Sequence, residues 1–425
     1  MKILHTSDWH LGHQFYKYER DEEFRHAFGQ IVEIVRKEQP DAFVLSGDVY
    51  DTPTPSTSAQ RLFTETILDI RNACPSMTIV VIAGNHDGKS FLNVNRELWA
   101  LAGVYVIGVL TPGTGVADEE LSRCTTDVDI LSHRFDIDSH MIMIGERGIV
   151  VAVPHLYDTA YPYLADTGAT AEQRRKHFFT ALMEYVDSRN PHHLPVVLMA
   201  HLAISSGDFS WHDFGVVGGL VTTPQSDFGT HYDYLALGHI HKSQNIVSDG
   251  RLARYSGSII PISFSEEAPH SVSIVNVGHE TTTIDDVTEF QIEPLYSLLT
   301  LPASPLPFGQ AVESLALIEP DRKCYLRLNV HVDKDNPLPP DALLQVHNCL
   351  KDKAARFCEF KIDIAKEAAR VENKVFSDPS QLRGMKPLQV AQYVSPTPLP
   401  PDFIDMFPKL SNTCSKMTNS PTTDL

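Results

Sequence analysis

Cysteine is scarce in this chain, and the cysteines that it has lie far apart. Six Cys occur among 425 residues, and no two of them have Cys-x-x-Cys spacing. This pattern argues against a zinc knuckle and against a thioredoxin-type redox site. So few cysteines in so long a chain are typical of a protein that works in a reducing compartment.

Long apolar stretches are also missing. No segment approaches the ~18 consecutive apolar residues that a membrane-spanning helix requires. The first eight residues contain no apolar core of a secretory signal. We therefore expect a cytoplasmic protein with no membrane partner.

Positive charge is under-represented. Lys and Arg together number 35 against 54 Asp and Glu, which gives a net charge of −19. A protein that neutralises many phosphates needs an excess of cations, so this chain cannot hold a nucleic acid by bulk charge. Metal ions, a local patch or a basic partner would have to do so. The sequence also contains no Gly-x-x-x-x-Gly-Lys-[Ser/Thr] loop, so no ATP site is expected in this chain.

The composition is otherwise that of a globular protein. A hydrophobic fraction of 42% excludes global disorder, and the length suits two or three domains. Short β-branched apolar runs predict buried strands at residues 2–6, 42–46, 77–83 and 195–200. Amphipathic periodicity predicts helices at 20–38, 56–72 and 171–188. Beyond about residue 230 the pattern is of strands alone, so the first domain is expected to be a sheet sandwich with outer helices.

A smaller second unit is expected after this sandwich. The four prolines of residues 294–308 predict a connection, and the alternation at 324–331 predicts a half-buried strand. A helix over 341–357 and a strand over 360–364 complete the pattern. The predicted organisation is a first domain over 1–285, an α+β capping domain over 286–370 and a C-terminal segment over 371–425. The apolar residues of this last segment predict either partner binding or packing on the cap, followed by a disordered tail.

Five short polar segments each follow a predicted strand. They are Asp8-Trp9-His10, Gly47-Asp48, Gly84-Asn85-His86-Asp87, His201 and Gly238-His239-Ile240-His241. Ligands of α/β sheets bind at the carboxyl ends of strands, so these segments are expected to meet in one place. Carboxylate together with imidazole suits Mn, Fe or Zn, and a shared carboxylate suits two ions acting on a phosphate ester. The arrangement therefore predicts a metal centre.

Each segment has a simpler explanation when it stands alone. Asp-x-His can form a turn or a cap, Gly-Asp is common turn chemistry, and Asn-His can occupy a left-handed turn. His201 by itself would be an ordinary core histidine. The occurrence of all five in this order, each after a strand, favours the metal centre.

These motifs resemble those of the calcineurin-like metallophosphoesterases, whose pattern is Asp-x-His, Gly-Asp, Gly-Asn-His-[Asp/Glu], His and Gly-His-x-His. Residues 4–12, 47–52 and 255–264 further resemble the nuclease subunits of SbcCD complexes. The likeness is strong over about residues 1–270. It implies an α/β fold, a four-layer metallophosphoesterase β-sandwich flanked by helices, with a small α+β C-terminal cap domain.

The resemblance also implies two Mn²⁺ ions per chain, with Mg²⁺ as an alternative. The first ion would be held by Asp8, His10, Asp48 and His241. The second would be held by Asp48, Asn85, His201 and His239, so that Asp48 bridges the two.

Two further residues of the third segment receive catalytic roles from the resemblance. His86 would protonate the leaving oxygen as a general acid, or stabilise the charge on it. Asp87 would either orient the His86 ring or cap a helix. Asp51 stands where archaeal and eukaryotic relatives carry a histidine near the site, and a turn-forming Asp before Thr52-Pro53 is its simpler interpretation.

The implied function is DNA cleavage in repair and recombination. The resemblance implies 3′ to 5′ exonuclease action on duplex ends and endonuclease action on single strands and hairpins. It also implies an SbcC-type ABC ATPase as partner, with a homodimer of this chain inside a heterotetramer. This partner could supply the positive surface that the chain lacks.

Substrate contacts are less clearly marked in the sequence. Lys17, Tyr18 and Arg20 follow the first metal motif and could touch phosphates, or they could form the solvated start of a helix. Trp9 is expected in the core, and stacking on a base is the alternative.

Two rival functions remain open at this stage. A small-substrate phosphodiesterase or phosphatase would use the same metal motifs. A structural subunit that tethers ATPase heads would have little need of an intact ligand set.

Overall fold

The computed structural model describes residues 1–113, 124–210, 222–248, 250–278 and 282–364. The strands are β1 (Lys2–Thr6), β2 (Ala42–Ser46), β3 (Thr78–Ile82), β4 (Val104–Ile107), β5 (Met141–Met143), β6 (Ile149–Ala152), β7 (Val196–His201), β8 (Ala203–Ile204), β9 (Thr222–Thr223), β10 (Tyr234–Gly238), β11 (Gln244–Ser248), β12 (Arg251–Tyr255), β13 (Ser271–Asn276), β14 (Val287–Gln291), β15 (Ser297–Pro307), β16 (Cys324–Val332) and β17 (Arg356–Ile364). The helices are α1 (Asp21–Glu38), α2 (Thr57–Ala73), α3 (Lys89–Asn93), α4 (Arg96–Leu101), α5 (Asp127–Arg134), α6 (Ala171–Ser188), α7 (Phe308–Glu313) and α8 (Ala342–Leu350).

The first large sheet has the strand order β14-β13-β1-β2-β3-β4. Strands β1 to β4 run parallel, and β13 joins β1 in the antiparallel sense. All five residues of β2 are buried, as expected for a central parallel strand that is covered on both faces. The carboxyl ends of β1, β2 and β3 therefore lie side by side.

The second large sheet has the order β11-β12-β10-β7-β6-β5. Its four central strands are parallel, and β11 and β5 are antiparallel edges. Within it, β10 pairs directly with β7, so that Gly238 lies opposite His201. The ends of these two strands therefore bring the fourth and fifth polar segments together.

The two sheets face each other across an apolar core. Val44 and Val80 of the first sheet pack in one cluster with Val197 and Met199 of the second. Helices α1 and α2 cover the outer face of the first sheet, and α6 covers the outer face of the second. This helix–sheet–sheet–helix order confirms the predicted four-layer sandwich.

The predicted helices of the sandwich begin and end within a residue of their expected positions. Helix α6 starts with a capping box, in which the Thr170 hydroxyl accepts from the Gln173 N–H and the Gln173 side chain accepts from the Thr170 N–H. Helix α1 carries acidic residues in its first turn and basic residues in its last, which suits the helix dipole. Among the described residues, no helix is both long enough and apolar enough to span a bilayer.

A third sheet, with parallel strands in the order β15-β16-β17, forms the cap together with α7 and α8. The prediction of a connection over residues 294–308 is wrong, because residues 297–307 form β15. Its prolines are tolerated since β15 is an edge strand whose register shifts between Leu301 and Leu306.

Two boundaries also differ from those predicted. Residues 287–291, assigned to the cap, form β14 and pair with β13 in the first large sheet, so the sandwich extends past residue 285. The cap helix ends at Leu350 and not at 357, because Phe357 already belongs to β17, where it pairs with Leu326. The predicted partner-binding segment over 371–425 lies outside the described residues.

Candidate metal centre

Side chains from both large sheets meet at the carboxyl ends of their central strands. Three polar segments follow β1, β2 and β3 of the first sheet, and two lie at the ends of β7 and β10 of the second. The seven predicted ligands that this brings together, called here the candidate metal centre, are Asp8, His10, Asp48, Asn85, His201, His239 and His241.

Asp48 lies in the middle of this group. Its Oδ2 atom is 3.6 Å from Nε2 of His10 and 3.3 Å from Nε2 of His201. Ligand atoms of Asp8, His10 and His241 also lie within 4.8 Å of one another, and so do those of Asp8, Asp48 and His201. Asp48 therefore links two neighbouring sets of donor atoms.

Asn85 joins the two histidines of the second sheet. Its amide oxygen lies 3.0 Å from Nε2 of His201 and 2.9 Å from Nδ1 of His239. Asp8 approaches the same region, since its Oδ1 accepts the backbone N–H of His239 at 2.9 Å. Oxygen and imidazole donors thus face a common space.

The backbone at this centre is held in an unusual conformation. Asp8, His10, Asp48 and His239 all have positive φ, at 53°, 48°, 50° and 99°. Non-glycine residues rarely adopt this region, and each such residue costs about 1–3 kcal/mol. The surrounding sheets hold these four residues in place, so the donor atoms are positioned before any ligand binds.

Glycines allow the segments to approach each other. A Cβ atom on Gly84 would lie within 3.0 Å of the Asp48 carboxylate, and one on Gly47 would lie within 3.0 Å of the His201 ring. A larger residue at either place would displace a predicted ligand. The glycines of the Gly-Asp and Gly-Asn motifs are therefore required by packing as well as by turn geometry.

The electrostatics of the centre favour bound cations. Burial lowers the pKa of His201, but the Asp48 carboxylate beside it outweighs burial and raises that pKa to about 9. Burial works against ionisation of Asp48, yet His201 and His10 hold its pKa well below the usual range. The carboxylate is therefore charged at neutral pH, and positive charge is what stabilises it.

His10 is buried between two carboxylates without a well-formed hydrogen bond. It is 2% exposed, and its Nδ1 and Nε2 atoms lie 3.4 Å from Asp51 Oδ1 and 3.6 Å from Asp48 Oδ2, neither of which qualifies as a hydrogen bond. A buried polar atom without a partner costs about 1–3 kcal/mol, so such atoms need an explanation. Carboxylate, imidazole and amide oxygen donors suit a divalent transition metal, and a metal ion would satisfy the His10 ring.

His86 lies at the open side of the centre. Its ring is exposed, and Nδ1 donates a hydrogen bond to the Asp51 carbonyl oxygen at 2.9 Å. The ring centre is 4.8 Å from that of His10, and the His86 backbone N–H donates to Asp48 Oδ1. The other ring nitrogen, Nε2, is therefore the atom that can contact a substrate.

Asp87 has a different role from either of those predicted. Its carboxylate accepts the backbone N–H groups of Gly84, Val49 and Tyr50 at 2.7, 3.1 and 2.9 Å. These bonds tie the loop after β2 to the loop after β3. The prediction that Asp87 orients the His86 ring is wrong, because the Asp51 carbonyl does so, and α3 begins at Lys89 without a side-chain cap.

Two residues at the centre were not predicted from the sequence. Glu266 is buried, and its Oε1 accepts a hydrogen bond from Nδ1 of His241 at 2.9 Å. The charge of Glu266 outweighs the effect of burial and raises the pKa of His241 to about 8. His155 follows β6, and its Nδ1 donates to the His201 carbonyl oxygen at 2.9 Å. His155 could have been predicted from the sequence, because it follows a buried strand as the five recognised segments do.

The predicted substrate contacts are only partly compatible with the structure. Arg20 is 2% exposed and bonds Glu23 and the Pro261 carbonyl oxygen, so the prediction that it touches phosphates is wrong. Tyr18 donates to the Phe357 carbonyl oxygen of the cap, which commits its hydroxyl to the contact between sandwich and cap. Lys17 is exposed, and its contact with a substrate stays a prediction.

Trp9 belongs to the core, as predicted. It is 1% exposed and packs against Phe28 and Phe43 under α1. Its indole N–H donates to the Thr6 hydroxyl at 3.0 Å. Stacking of Trp9 on a base is therefore excluded.

Comparisons with known proteins agree with this geometry. The calcineurin-like phosphoesterase model matches residues 1–243. A protein of Rhodobacter capsulatus, named as the D subunit of the SbcCD nuclease, is 30% identical over 341 residues, which cover 76% of this chain and 77% of that protein. The protein of the same name from Bacillus subtilis is 32% identical over 66% of this chain and 68% of its own length. The Escherichia coli protein is 30% identical over 63% of this chain and 62% of its own length.

The family match covers the strand ends that carry all seven predicted ligands, and the similarity to these SbcCD proteins confirms the resemblance seen in the motifs. Members of the family act through bound metal, which suits the cluster of carboxylates and histidines described above. The chain belongs to the calcineurin-like phosphoesterase family, within the group that contains the D subunits of SbcCD nucleases.

Proposed function

We propose that this chain is a Mn²⁺-dependent DNA nuclease that hydrolyses phosphodiester bonds in DNA repair and recombination. The observation that carries the proposal is the position of Asp48, whose carboxylate lies between His10 of the first sheet and His201 of the second. One carboxylate between two donor sets is suited to two metal ions ~3.5–4 Å apart. The relatives are named as parts of a nuclease, which supports a nucleic acid as substrate.

The ligand assignment follows the two donor sets. Asp8, His10, Asp48 and His241 would hold the first ion, and Asp48, Asn85, His201 and His239 the second. When bound, two Mn²⁺ ions neutralise phosphate oxygens and lower the pKa of a water molecule that attacks phosphorus. The carboxylates among these ligands supply the negative charge that makes the site selective for cations.

His86 would transfer the proton to the leaving oxygen. Its Nδ1–H is committed to the Asp51 carbonyl, so the ring would act as an acid in its doubly protonated form, giving up the proton on Nε2 and keeping the one on Nδ1. The exposed ring faces the substrate side, while its backbone N–H is anchored to Asp48. This anchoring fixes the ring relative to the phosphate, which general acid catalysis requires. Asp51 would thereby act as a positioning residue through its backbone.

The proposed architecture divides the chain by function. The sandwich up to about residue 292 would be the catalytic domain, and the cap would guide DNA toward it. A net charge of −19 argues that a basic partner supplies much of the affinity for DNA. We propose an SbcC-type ABC ATPase in this role, bound in part through residues 371–425, with two copies of each chain in the complex.

The test is a cleavage assay on the purified full chain. Substrates would be a labelled DNA hairpin, a labelled duplex end and a single-stranded circle, each with Mn²⁺, Mg²⁺ or EDTA. The expected result is cleavage with Mn²⁺ that EDTA abolishes. Asp48→Ala should lose both metal binding and cleavage. His86→Ala should keep its metals and lose about 10²–10⁴-fold in kcat.

A matched control is available on α1. His26 is exposed on the outer side of the sandwich, so His26→Ala should cleave like the wild type. Hydrolysis of bis-p-nitrophenyl phosphate without DNA cleavage, with or without the ATPase, would replace the proposal with a small-substrate phosphodiesterase. Metal binding with no hydrolysis of any substrate would favour a structural role in the complex.

A further inference from the structure

A cavity of about 310 Å³ opens beside the candidate metal centre. The cavity and the centre share His239, which lines the cavity and contacts Asn85. Leu202 and Tyr161 supply apolar surface to its lining. A space of this size lies at the lower end of the ~300–1,000 Å³ range of small-molecule sites.

His155, which lines one wall of this cavity, is hydrogen-bonded to both large sheets. The backbone N–H of His155 donates to the Ala83 carbonyl at the end of β3, at 2.8 Å. Its Nδ1 donates to the His201 carbonyl at 2.9 Å, at the end of β7. The imidazole therefore stands at a set position relative to the predicted ligands, with its ring centre 6.0 Å from that of His201.

An exposed aromatic ring continues this wall outward. Tyr157 lies edge-on to His155, with ring centres 4.9 Å apart and planes at 89°. Tyr157 is 57% exposed, so much of its ring surface is free of contact with the residues that the structure describes. The Lys89 ammonium lies 4.6 Å from the centre of the Tyr157 ring and places a positive charge beside this part of the lining.

The charged groups inside the cavity neutralise each other. Asp158 and Arg175 both line it, and their side chains form an ion pair at 2.7 Å. Among the described residues of the lining, an occupant of the interior therefore meets mainly apolar and aromatic surface, and the one acidic and one basic side chain are paired with each other. A flat, uncharged group attached to a phosphate suits this combination, because the phosphate would stay outside near Lys89 and the metal centre.

We infer that the cavity binds the base of an unpaired nucleotide next to the phosphate that is cleaved, with Tyr157 as the stacking surface. This inference rests on the proposed nuclease function and deepens it. Stacking on an aromatic side chain is a common, sequence-tolerant way to hold a base of a single strand. A base inside a duplex is already stacked and paired, so only a frayed end, a loop or a single strand can enter.

The test compares base-bearing with abasic substrates. Short single-stranded oligonucleotides would contain one cleavable phosphodiester, and a tetrahydrofuran residue would replace the nucleotide on its 5′ or its 3′ side. The wild type should cleave the base-bearing oligonucleotide faster than one of the abasic pair. Tyr157→Ala should reduce this rate ratio about tenfold, and Tyr157→Phe should restore it. Tyr105→Ala, at an exposed tyrosine on β4, should leave the ratio unchanged.

A binding measurement separates this inference from the proposed function. Calorimetry on the Mn²⁺-loaded full chain would compare thymidine 5′-monophosphate with deoxyribose 5-phosphate. Tighter binding of the nucleotide that Tyr157→Ala abolishes supports the base site even if the chain cleaves no DNA. Equal affinity for the two ligands in the wild type, or an unchanged rate ratio in Tyr157→Ala, would overturn the inference whatever the cleavage assay shows.

Discussion

Glu266 accepts a hydrogen bond from His241, with 2.9 Å between Oε1 and Nδ1, so a residue outside the motifs fixes one of the predicted ligands. Carboxylates that hold a ligating imidazole orient the ring and increase its basicity. We predict that Glu266→Gln weakens metal binding about 10–100-fold while leaving the fold intact. Titration with Mn²⁺ measures this effect. Glu267→Gln, at the exposed neighbouring residue, serves as control, and equal affinities in the two variants would contradict the prediction.

A single added carbon atom should be enough to disrupt the candidate metal centre. In Gly84→Ala the new Cβ would meet the Asp48 carboxylate within 3.0 Å, so we expect loss of Mn²⁺ binding. We also expect about 1–3 kcal/mol of destabilisation from overpacking. Gly29→Ala is the matched control, because Gly29 lies in α1 with open space around it. That control should gain about 0.5–1 kcal/mol in free energy of unfolding. Wild-type metal affinity in Gly84→Ala would refute the close approach.

Arg20 should matter for stability and not for substrate binding. It is buried against the aromatic rings of Phe15 and Tyr325, and its partner Glu23 is buried as well. We expect Arg20→Met to lower the free energy of unfolding by about 3–5 kcal/mol, because it leaves the Glu23 carboxylate without its cation. Lys17→Met, at an exposed lysine three residues earlier, should change it by less than about 0.5 kcal/mol. Urea denaturation of both variants measures these two changes in stability, and similar midpoints would show that Arg20 is dispensable for the fold.

Metal binding should release protons. The pKa of His201 is raised to about 9 and that of His241 to about 8, so both rings are protonated in the metal-free chain at pH 7. A histidine must lose its proton from the ligating nitrogen before it binds a metal. Affinity for Mn²⁺ should therefore fall as the pH drops from 8 to 6, with up to two protons released per chain. Calorimetry in buffers of different ionisation enthalpy counts these protons, and a release of none would contradict the raised pKa values.

The predicted centre was accessible from the sequence because its residues follow buried strands. Apolar β-branched runs mark the strands, and parallel strands end at one edge, so Asp8, Asp48 and Asn85 had to come close. Asp87 lies in the same motif, yet its bonds run to backbone N–H groups, which no residue pattern records. The motif thus predicted which residues gather, and not what each of them contacts.

The remaining errors come from contacts between distant parts of the chain. From the sequence alone, Arg20 resembles the solvated start of a helix. In the structure the cap covers it, and Tyr325 of the cap bonds Glu23, the partner of Arg20, across 302 residues of sequence. Strand β15 resembled a linker because it is rich in proline, which a strand tolerates only at the edge of a sheet. That β15 is an edge strand becomes clear only from its pairing with β16. Glu266 comes from a loop without periodicity. Each of these depended on a neighbour that local patterns do not reveal.

The division of the predicted ligands between two sheets sets the order in which the centre can form during synthesis. The first sheet supplies Asp8, His10, Asp48 and Asn85, but its companions His201, His239 and His241 come from strands made much later. The backbone that holds Asp8 also depends on β13, which pairs with β1 and ends at Asn276. A chain whose later strands have not yet been made therefore contains four of the seven predicted ligands and lacks the three histidines of the second sheet.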